Sequence, residues 1–217
     1  MKNFSPNMLK TFEECEKKFY FKYIEKKSLP QKSATFVKGK KIHALANYYL
    51  NGFDIKKMLD TLDEEEYNIW CALKENKFFN METVKTEYNL TCRIKNFWIG
   101  GRLDAIVKND SNYLILDYKT GNIPQNAEND FQTIVYLLCA DKLYQKKGGY
   151  ESLRFVYIGL KKGVEKEIML DDINKKSFEN KIISICKKIT NAVTTNHFSE
   201  TCTNCEHCEY YKICKQI

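Results

Sequence analysis

The hydrophobic pattern of this chain changes its period near residue 82, and that change constrains the fold more than any other feature. Before it, apolar residues recur at helical spacing. A first helix is predicted from Ser5, which can cap it, to about Lys26, a second over 39–50 and a third over 63–77. The amino-terminal third of the chain is therefore predicted to be helical.

From residue 82 onward, apolar and polar residues alternate, and the segments are rich in valine, isoleucine and aromatic residues. Three such segments separated by short polar breaks predict a three-stranded meander. The elements predicted from there on are strands over 83–94, 97–108 and 113–119, a helix over 127–146, strands over 153–160 and 164–170, and a helix over 172–195. This order of elements predicts an α/β protein.

Composition limits the class of protein. The 217 residues suit one moderate domain with a small appendage, and the 43% hydrophobic content is enough to form a core. No apolar run is long enough for a membrane span or a signal peptide, so a soluble, cytoplasmic protein without a membrane partner is expected. The net charge of +7 comes almost wholly from lysine. It favours a polyanionic partner contacted through its phosphates, although an excess of lysine is equally consistent with solubility alone.

Two aspartates and a lysine are the strongest candidates for chemistry. Asp117 and Lys119 end a hydrophobic strand two positions apart, so their side chains project to the same face. A hairpin can bring Asp104, in the preceding strand, beside Asp117. Adjacent carboxylates repel unless a hard cation such as Mg²⁺ or Mn²⁺ lies between them. A metal site is therefore predicted, although such a pair could also simply end a strand at the surface.

Nine cysteines in a cytosolic chain are expected to be reduced. Cys71, Cys92, Cys139 and Cys186 lie in apolar segments and are predicted to be small buried residues. Four others crowd the last sixteen residues, which is typical of a metal site, and Cys15 stands apart near the amino terminus.

An ordered set of motifs resembles the PD-(D/E)xK nuclease superfamily, specifically the RecB-like nucleases that carry an iron-sulfur cluster. The resemblance covers nearly the whole chain. In order, the matching landmarks are the Ser5, Leu9, Phe12, Cys15 helix, His43, Gly101 to Asp104, Asp117 to Lys119, Gln132 to Tyr136, and Cys205, Cys208, Cys214. The resemblance implies a restriction-endonuclease-like mixed sheet flanked by helices, with the two ends of the chain joined at a cysteine-ligated metal cluster.

The same resemblance assigns roles to residues. It implies that His43, Asp104, Asp117 and the backbone carbonyl of Tyr118 hold the divalent metal and that Lys119 acts on the attacking water. It also implies that Gln132 and Tyr136 contact the substrate and support the site from the next helix. Glu87 matches a glutamate that binds a second metal or its water in such nucleases.

The cysteines allow two metal sites. The arrangement similar to the family joins Cys15 to Cys205, Cys208 and Cys214 around a [4Fe-4S] cluster. A local arrangement uses Cys202 in place of Cys15 and forms a four-thiolate zinc site. The first is favoured, and either one would be structural because hydrolysis needs no electron transfer.

The resulting prediction is one nuclease domain over 1–217, with a helical part over 1–80, a core over 81–195 and a cysteine segment over 196–217. Its expected activity is metal-dependent exonuclease cleavage of DNA, preferably single-stranded, with bases stacking on aromatic residues such as Phe97 or Trp98. The resemblance implies a setting in CRISPR adaptation or in recombination and repair of phage or mobile-element DNA.

Two alternatives remain: a non-catalytic DNA-binding module with a structural metal site, and a subunit that docks a larger nuclease, integrase or recombination protein. The oligomeric state is not predicted.

Overall fold

A computed structural model of the chain describes residues 3–27, 34–161, 163–200 and 205–215. Six strands form one mixed sheet, and helices cover both of its faces. The strands are β1 (Asn3–Phe4), β2 (Glu82–Ile94), β3 (Phe97–Asn109), β4 (Asn112–Lys119), β5 (Ser152–Gly159) and β6 (Val164–Met169). The helices are α1 (Pro6–Glu14), α2 (Glu16–Phe19), α3 (Ala34–Leu50), α4 (Lys56–Leu59), α5 (Glu64–Lys74), α6 (Phe131–Gln145), α7 (Asp172–Thr195) and α8 (Tyr211–Cys214).

The predicted meander is confirmed. β2, β3 and β4 pair antiparallel in sequence order, and β5 then pairs parallel with β4. The connection between these parallel strands contains α6, as a parallel crossover requires. β6 pairs antiparallel with β5, and the short β1, which the sequence pattern does not predict, pairs parallel with the start of β3.

The core lies on both faces of the sheet. One face packs against α1, α6 and α7 through residues such as Leu9, Ile134 and Ile182. The other packs against α3 and α5 through residues such as Leu45 and Trp70. β4 is buried on both faces because Ile115 faces one layer while Leu114, Leu116 and Tyr118 face the other. This explains why its sequence is a continuous hydrophobic run.

The first predicted helix is interrupted, which corrects the expectation of a continuous helix to about Lys26. Cys15 has an extended backbone (φ −166°, ψ 118°) between α1 and α2, and a π-helical turn at Tyr20–Ile24 follows. The Cys15 Sγ atom accepts a hydrogen bond from the Lys18 N–H at 3.4 Å and so caps α2. The break allows this cysteine to contact the carboxyl-terminal segment.

The helix predicted over 127–146 also divides in two. A 3₁₀ turn at Ala127–Asn129 precedes α6, and Asp130 between them accepts a hydrogen bond from the Gln132 N–H at 2.9 Å. An aspartate N-cap of this kind fixes the first turn of a helix. It therefore determines where the Gln132 side chain enters the site described below. None of the described helices is both long and apolar enough to span a bilayer.

Candidate active site

The register of β3 and β4 brings the two aspartates together. Their ladder pairs Ala105 with Leu116, so Asp104 and Asp117 occupy the next opposing positions. Asp104 Oδ2 accepts a hydrogen bond from the Tyr118 N–H at 2.9 Å. The carboxylate of Asp104 thus bridges the ends of the two strands, where the ladder stops and the cleft begins.

His43, on α3, lies between two acceptors. Its Nδ1 atom is 3.0 Å from Asp104 Oδ1, and its Nε2 atom is 3.0 Å from the Tyr118 carbonyl oxygen. Both contacts are satisfied together only when both ring nitrogens carry a proton, which makes the ring a cation. Burial lowers the pKa of His43, but its hydrogen bond to Asp104 and the charges of Asp104 and Asp117 outweigh burial and raise it. The surroundings of this ring therefore favour a positive charge.

Asp117 is almost fully buried and engages two partners. Its Oδ2 atom lies 2.8 Å from Lys119 Nζ without a well-directed hydrogen bond, and its Oδ1 atom accepts from Gln132 Nε2. Lys119 Nζ in turn donates to Gln132 Oε1 at 2.9 Å. Burial, and then the charge of Asp104, raise the pKa of Asp117 to about 6 against the opposing influence of Lys119 and His43. Burial of the Asp117 carboxylate beside the carboxylate of Asp104 is therefore the main cost that a bound cation would offset.

Glu87 completes a group of potential metal ligands. Ligand atoms of His43, Glu87 and Asp104 all lie within 4.8 Å of one another. Glu87 has a left-handed backbone (φ 44°), which is unusual for a residue inside a strand, and its carboxylate lies 2.8 Å from Arg102 Nε. Two carboxylates and an imidazole at this spacing, beside a buried Asp117 oxygen that accepts no hydrogen bond, fit a hard divalent cation.

Tyr136 forms a hydrogen bond with the backbone of β3. Its ring is buried in α6, and its hydroxyl donates to the Arg102 carbonyl oxygen at 2.7 Å. The approach is so close that a Cβ atom on Gly101 would lie 3.0 Å from that hydroxyl and 3.4 Å from Pro6 Cδ. The contact explains why a glycine stands three residues before Asp104.

We expect Gly101→Ala to lower the free energy of unfolding by about 1–3 kcal/mol, since the added methyl must displace the Tyr136 hydroxyl from its acceptor. Denaturant titration measures this loss. Gly121→Ala is the matched control, because a Cβ atom there meets nothing within 4 Å. Equal stability of both variants would contradict the packing role assigned to Gly101.

These residues share one cleft of about 950 Å³. Its floor contains His43, Asp104, Asp117 and Lys119, and Tyr136 and Gln132 line it from α6. Phe97 and Trp98 are not among the residues that line it. Phe97 instead packs edge-on against Phe4, with ring centroids 5.9 Å apart. The expectation that those two aromatics face the substrate therefore has no support in the cleft geometry.

Four of the cysteines line a second cavity, which shares no lining residue with the cleft. A cavity of about 300 Å³ is lined by Cys15, Cys205, Cys208 and Cys214. Lys17, Lys18 and Lys215 also line it together with Glu200 and Glu206, and burial, followed by the charge of Glu200, raises the pKa of the Cys214 thiol. Cys202, the fifth candidate, lies outside the described residues.

Ring stacking and hydrogen bonds also join the amino- and carboxyl-terminal segments beside this cavity. The rings of Phe21 and Tyr210 stack with centroids 5.6 Å apart, and the Tyr210 hydroxyl donates to the Lys27 carbonyl oxygen at 3.1 Å. The Lys17 N–H also donates to the Ser199 carbonyl oxygen at 3.2 Å. The predicted meeting of the amino- and carboxyl-terminal segments is thus present among the described residues.

A family model of the PD-(D/E)XK nuclease superfamily matches residues 3–77 and 65–215. The chain therefore belongs to this superfamily of nucleases.

Solved structures resemble it at low sequence identity. A protein from Eubacterium rectale named "Putative exonuclease" has a TM-score of 0.61 and 11% identity, covering 98% of this chain and 88% of its own. The crystal structure of SSO0001 has a TM-score of 0.47 and 16% identity, covering 99% and 86% of the two chains. No curated protein sequence was found to match the chain.

The structure also shows site residues that sequence reasoning missed. Arg102 reaches Glu87, and Tyr48 and Asn47 of α3 line the cleft beside His43. Asn47 follows His43 by four residues, and this spacing predicts that the two side chains share one face of the helix. No pattern indicates Arg102, because its partner depends on the register of β2 against β3.

Proposed function

We propose that this nuclease is a metal-dependent exonuclease that cleaves DNA and prefers single strands. The observation that carries the proposal is the convergence of His43, Asp104, Asp117 and Lys119 on one cleft in a member of a nuclease superfamily. The name of the Eubacterium rectale protein, whose fold is similar, supports the exonuclease assignment.

The metal would be held by His43, Asp104 and Glu87, with Asp117 and the carbonyl oxygen of Tyr118 as further ligands. The contacts that His43 makes with Asp104 and Tyr118 support this set, because the three groups already face one another. Mg²⁺ or Mn²⁺ would supply Lewis-acid stabilisation of the charge that develops on the phosphate. His43 would release a proton on binding the ion, since a ligating ring nitrogen is unprotonated.

Lys119 would orient the attacking water and move a proton to or from it. Its amine lies 2.8 Å from Asp117 Oδ2 and is 27% exposed, so it combines a fixed position with access to the cleft. Gln132 would keep both partners in place, since its amide contacts Asp117 through nitrogen and Lys119 through oxygen. Tyr136 would act as a positioning residue through the Arg102 carbonyl.

Exonuclease and endonuclease cleavage differ in their need for a free end. We expect digestion of linear single-stranded DNA, slower digestion of linear duplex and no cleavage of circular DNA. Strands labelled at either end measure this and give the polarity at the same time. Cleavage of circular DNA at a rate similar to that of linear DNA would contradict the exonuclease proposal while leaving the nuclease assignment in place.

We further propose that Cys15, Cys205, Cys208 and Cys214 hold an iron-sulfur cluster. Their shared cavity supports the proposal. The cluster would be structural, joining the segment after α7 to the helices at the start of the chain.

A further inference from the structure

Two exposed aromatic rings lie together beside the catalytic cleft: Tyr48 lines it, and Phe53, which does not, packs against the Tyr48 ring. Tyr48 is 47% exposed and Phe53 is 61% exposed, and their ring centroids are 5.6 Å apart with planes inclined at 57°. We propose that the Tyr48–Phe53 pair is a stacking platform for the bases of single-stranded DNA whose backbone enters the cleft. The inference rests on the proposed function. It names the side chains that select single-stranded over duplex DNA.

The position of the pair follows from α3. Tyr48 lines the cleft together with Asn47 and Ala44, and His43 lies on the floor of the same cleft. Tyr48 follows His43 by five residues, which corresponds to about 7.5 Å along the helix axis. This distance is on the order of two nucleotides of a stacked strand, which rises about 3.4 Å per nucleotide. A strand with a phosphate at the floor would therefore bring its next bases to the rings.

The end of α3 fixes the backbone that carries the two rings. Gly52 has a left-handed backbone (φ 74°), its N–H donates to the Tyr49 carbonyl at 2.9 Å, and the Phe53 N–H donates to the Tyr48 carbonyl at 3.0 Å. These are the two hydrogen bonds of a Schellman cap, in which a hydrophobic contact such as Phe53 on Tyr48 is common. The cap explains why the rings touch but does not require both to remain half exposed to solvent.

The same helix end is fixed to the sheet. Asn51 Nδ2 donates to the Thr86 Oγ1 atom at 2.7 Å, and Thr86 immediately precedes Glu87 of the proposed metal site. The rings are therefore tied to the strand that carries a metal ligand. A preorganised platform of this kind binds bases without the entropic cost of ordering a loop.

The cleft carries side chains that can contact a nucleic-acid backbone. Lys40, Arg102 and Lys119 line it, beside the carboxylates of Glu87, Asp104 and Asp117 that would hold the metal, and the Arg102 side chain is 67% exposed. Cationic side chains beside aromatic rings are the combination that binds single strands without sequence preference. Bases inside a duplex are already stacked on one another, so they cannot use such a platform. Single-stranded DNA is therefore the occupant that both features favour.

Other exposed aromatic residues in the described part of the chain provide a contrast. Tyr67 on α5 is 50% exposed and Trp98 on β3 is 48% exposed, but neither lines the cleft. Trp98 precedes Asp104 by six strand residues, or about 20 Å. Tyr67 therefore serves as a matched control for the loss of an exposed tyrosine.

The test is binding of a fluorescent single-stranded oligonucleotide, measured by anisotropy in chelator so that no cleavage occurs. We expect Tyr48→Ala and Phe53→Ala each to raise the Kd roughly 5- to 150-fold, which corresponds to the loss of one stacked base. Tyr48→Phe keeps the ring and should bind normally, as should Tyr67→Ala. On a strand made of abasic sites, the unaltered protein and Tyr48→Ala should bind equally.

Three results would overturn the proposal: unchanged affinity in Tyr48→Ala and Phe53→Ala, an equal loss in Tyr67→Ala, or a loss that persists on the abasic strand. Circular dichroism of each variant, together with the normal binding expected of Tyr48→Phe, separates loss of a ring from loss of the fold. Cleavage of the same strands with Mg²⁺ is measured in parallel. A protein that cleaves but binds independently of the rings refutes the platform alone, whereas ring-dependent binding without cleavage refutes the proposed nuclease activity alone.

Discussion

Replacing Lys119 with alanine is expected to lower the rate of DNA cleavage by about 10²- to 10⁴-fold, the range associated with loss of a general acid or base. The amine lies 2.8 Å from Asp117 Oδ2 and donates to Gln132 at 2.9 Å, so it is fixed at the floor of the cleft. Its removal takes away the group proposed to orient and deprotonate the attacking water. Single-turnover cleavage of a labelled strand measures the effect on the chemical step.

The loss of one charge beside a buried carboxylate can also alter the fold, and a second lysine controls for this. Lys161→Ala removes an exposed lysine that pairs with Glu65 at 2.9 Å and does not line the cleft. It should cleave DNA at the normal rate. Lys119→Met keeps most of the side-chain length and should be as inactive as Lys119→Ala. Substantial turnover by either Lys119 variant would refute the assigned role.

Replacing Cys15 with serine is expected to release the proposed cluster. Loss of one of four thiolate ligands should weaken retention of the metal by at least about 10- to 100-fold, since even changes in residues behind the ligands have effects of that size. Iron and sulfide analysis of anaerobically purified protein, with its visible absorbance, measures the loss. Because binding energy of a structural metal contributes to folding, the thermal midpoint should fall as well.

Cys71→Ser is the matched control for this experiment. Cys71 lies on α5 and is not among the residues that line the cysteine cavity. The variant should retain its iron and its stability. Zinc rather than iron in the unaltered protein would refute the cluster, and full iron retention in Cys15→Ser would refute Cys15 as its ligand.

The placement of the two aspartates and the lysine of the candidate site was predictable from local geometry. Residues two apart in a strand share a face, and a hairpin between neighbouring strands has few registers. Asp104, Asp117 and Lys119 follow from those two rules, and the structure places them accordingly. The long helix α7 was also predictable, because Asp171 forms a capping box with Asn174 and the apolar residues keep their period to Thr195.

Features that depend on distant contacts could not be predicted in this way. The apolar pattern from Leu9 to Tyr23 continues at helical spacing across Cys15, so nothing local marks the break there. The break places Cys15 in the cavity that it shares with Cys205, Cys208 and Cys214, almost two hundred residues away. The exposure of Tyr48 and Phe53 is likewise a tertiary property, because a helix pattern cannot tell a ring at a cleft rim from one in the core.

In the proposed mechanism, a divalent metal and the Lys119 site together cleave DNA. Its most direct test is cleavage of an end-labelled single strand by protein treated with chelator and then supplied with Mg²⁺ or Mn²⁺, beside Lys119→Ala under the same conditions. The account predicts no cleavage in chelator, recovery when metal is added to the unaltered protein, and no recovery in the variant. Cleavage that persists in chelator, or equal recovery in Lys119→Ala, would contradict it.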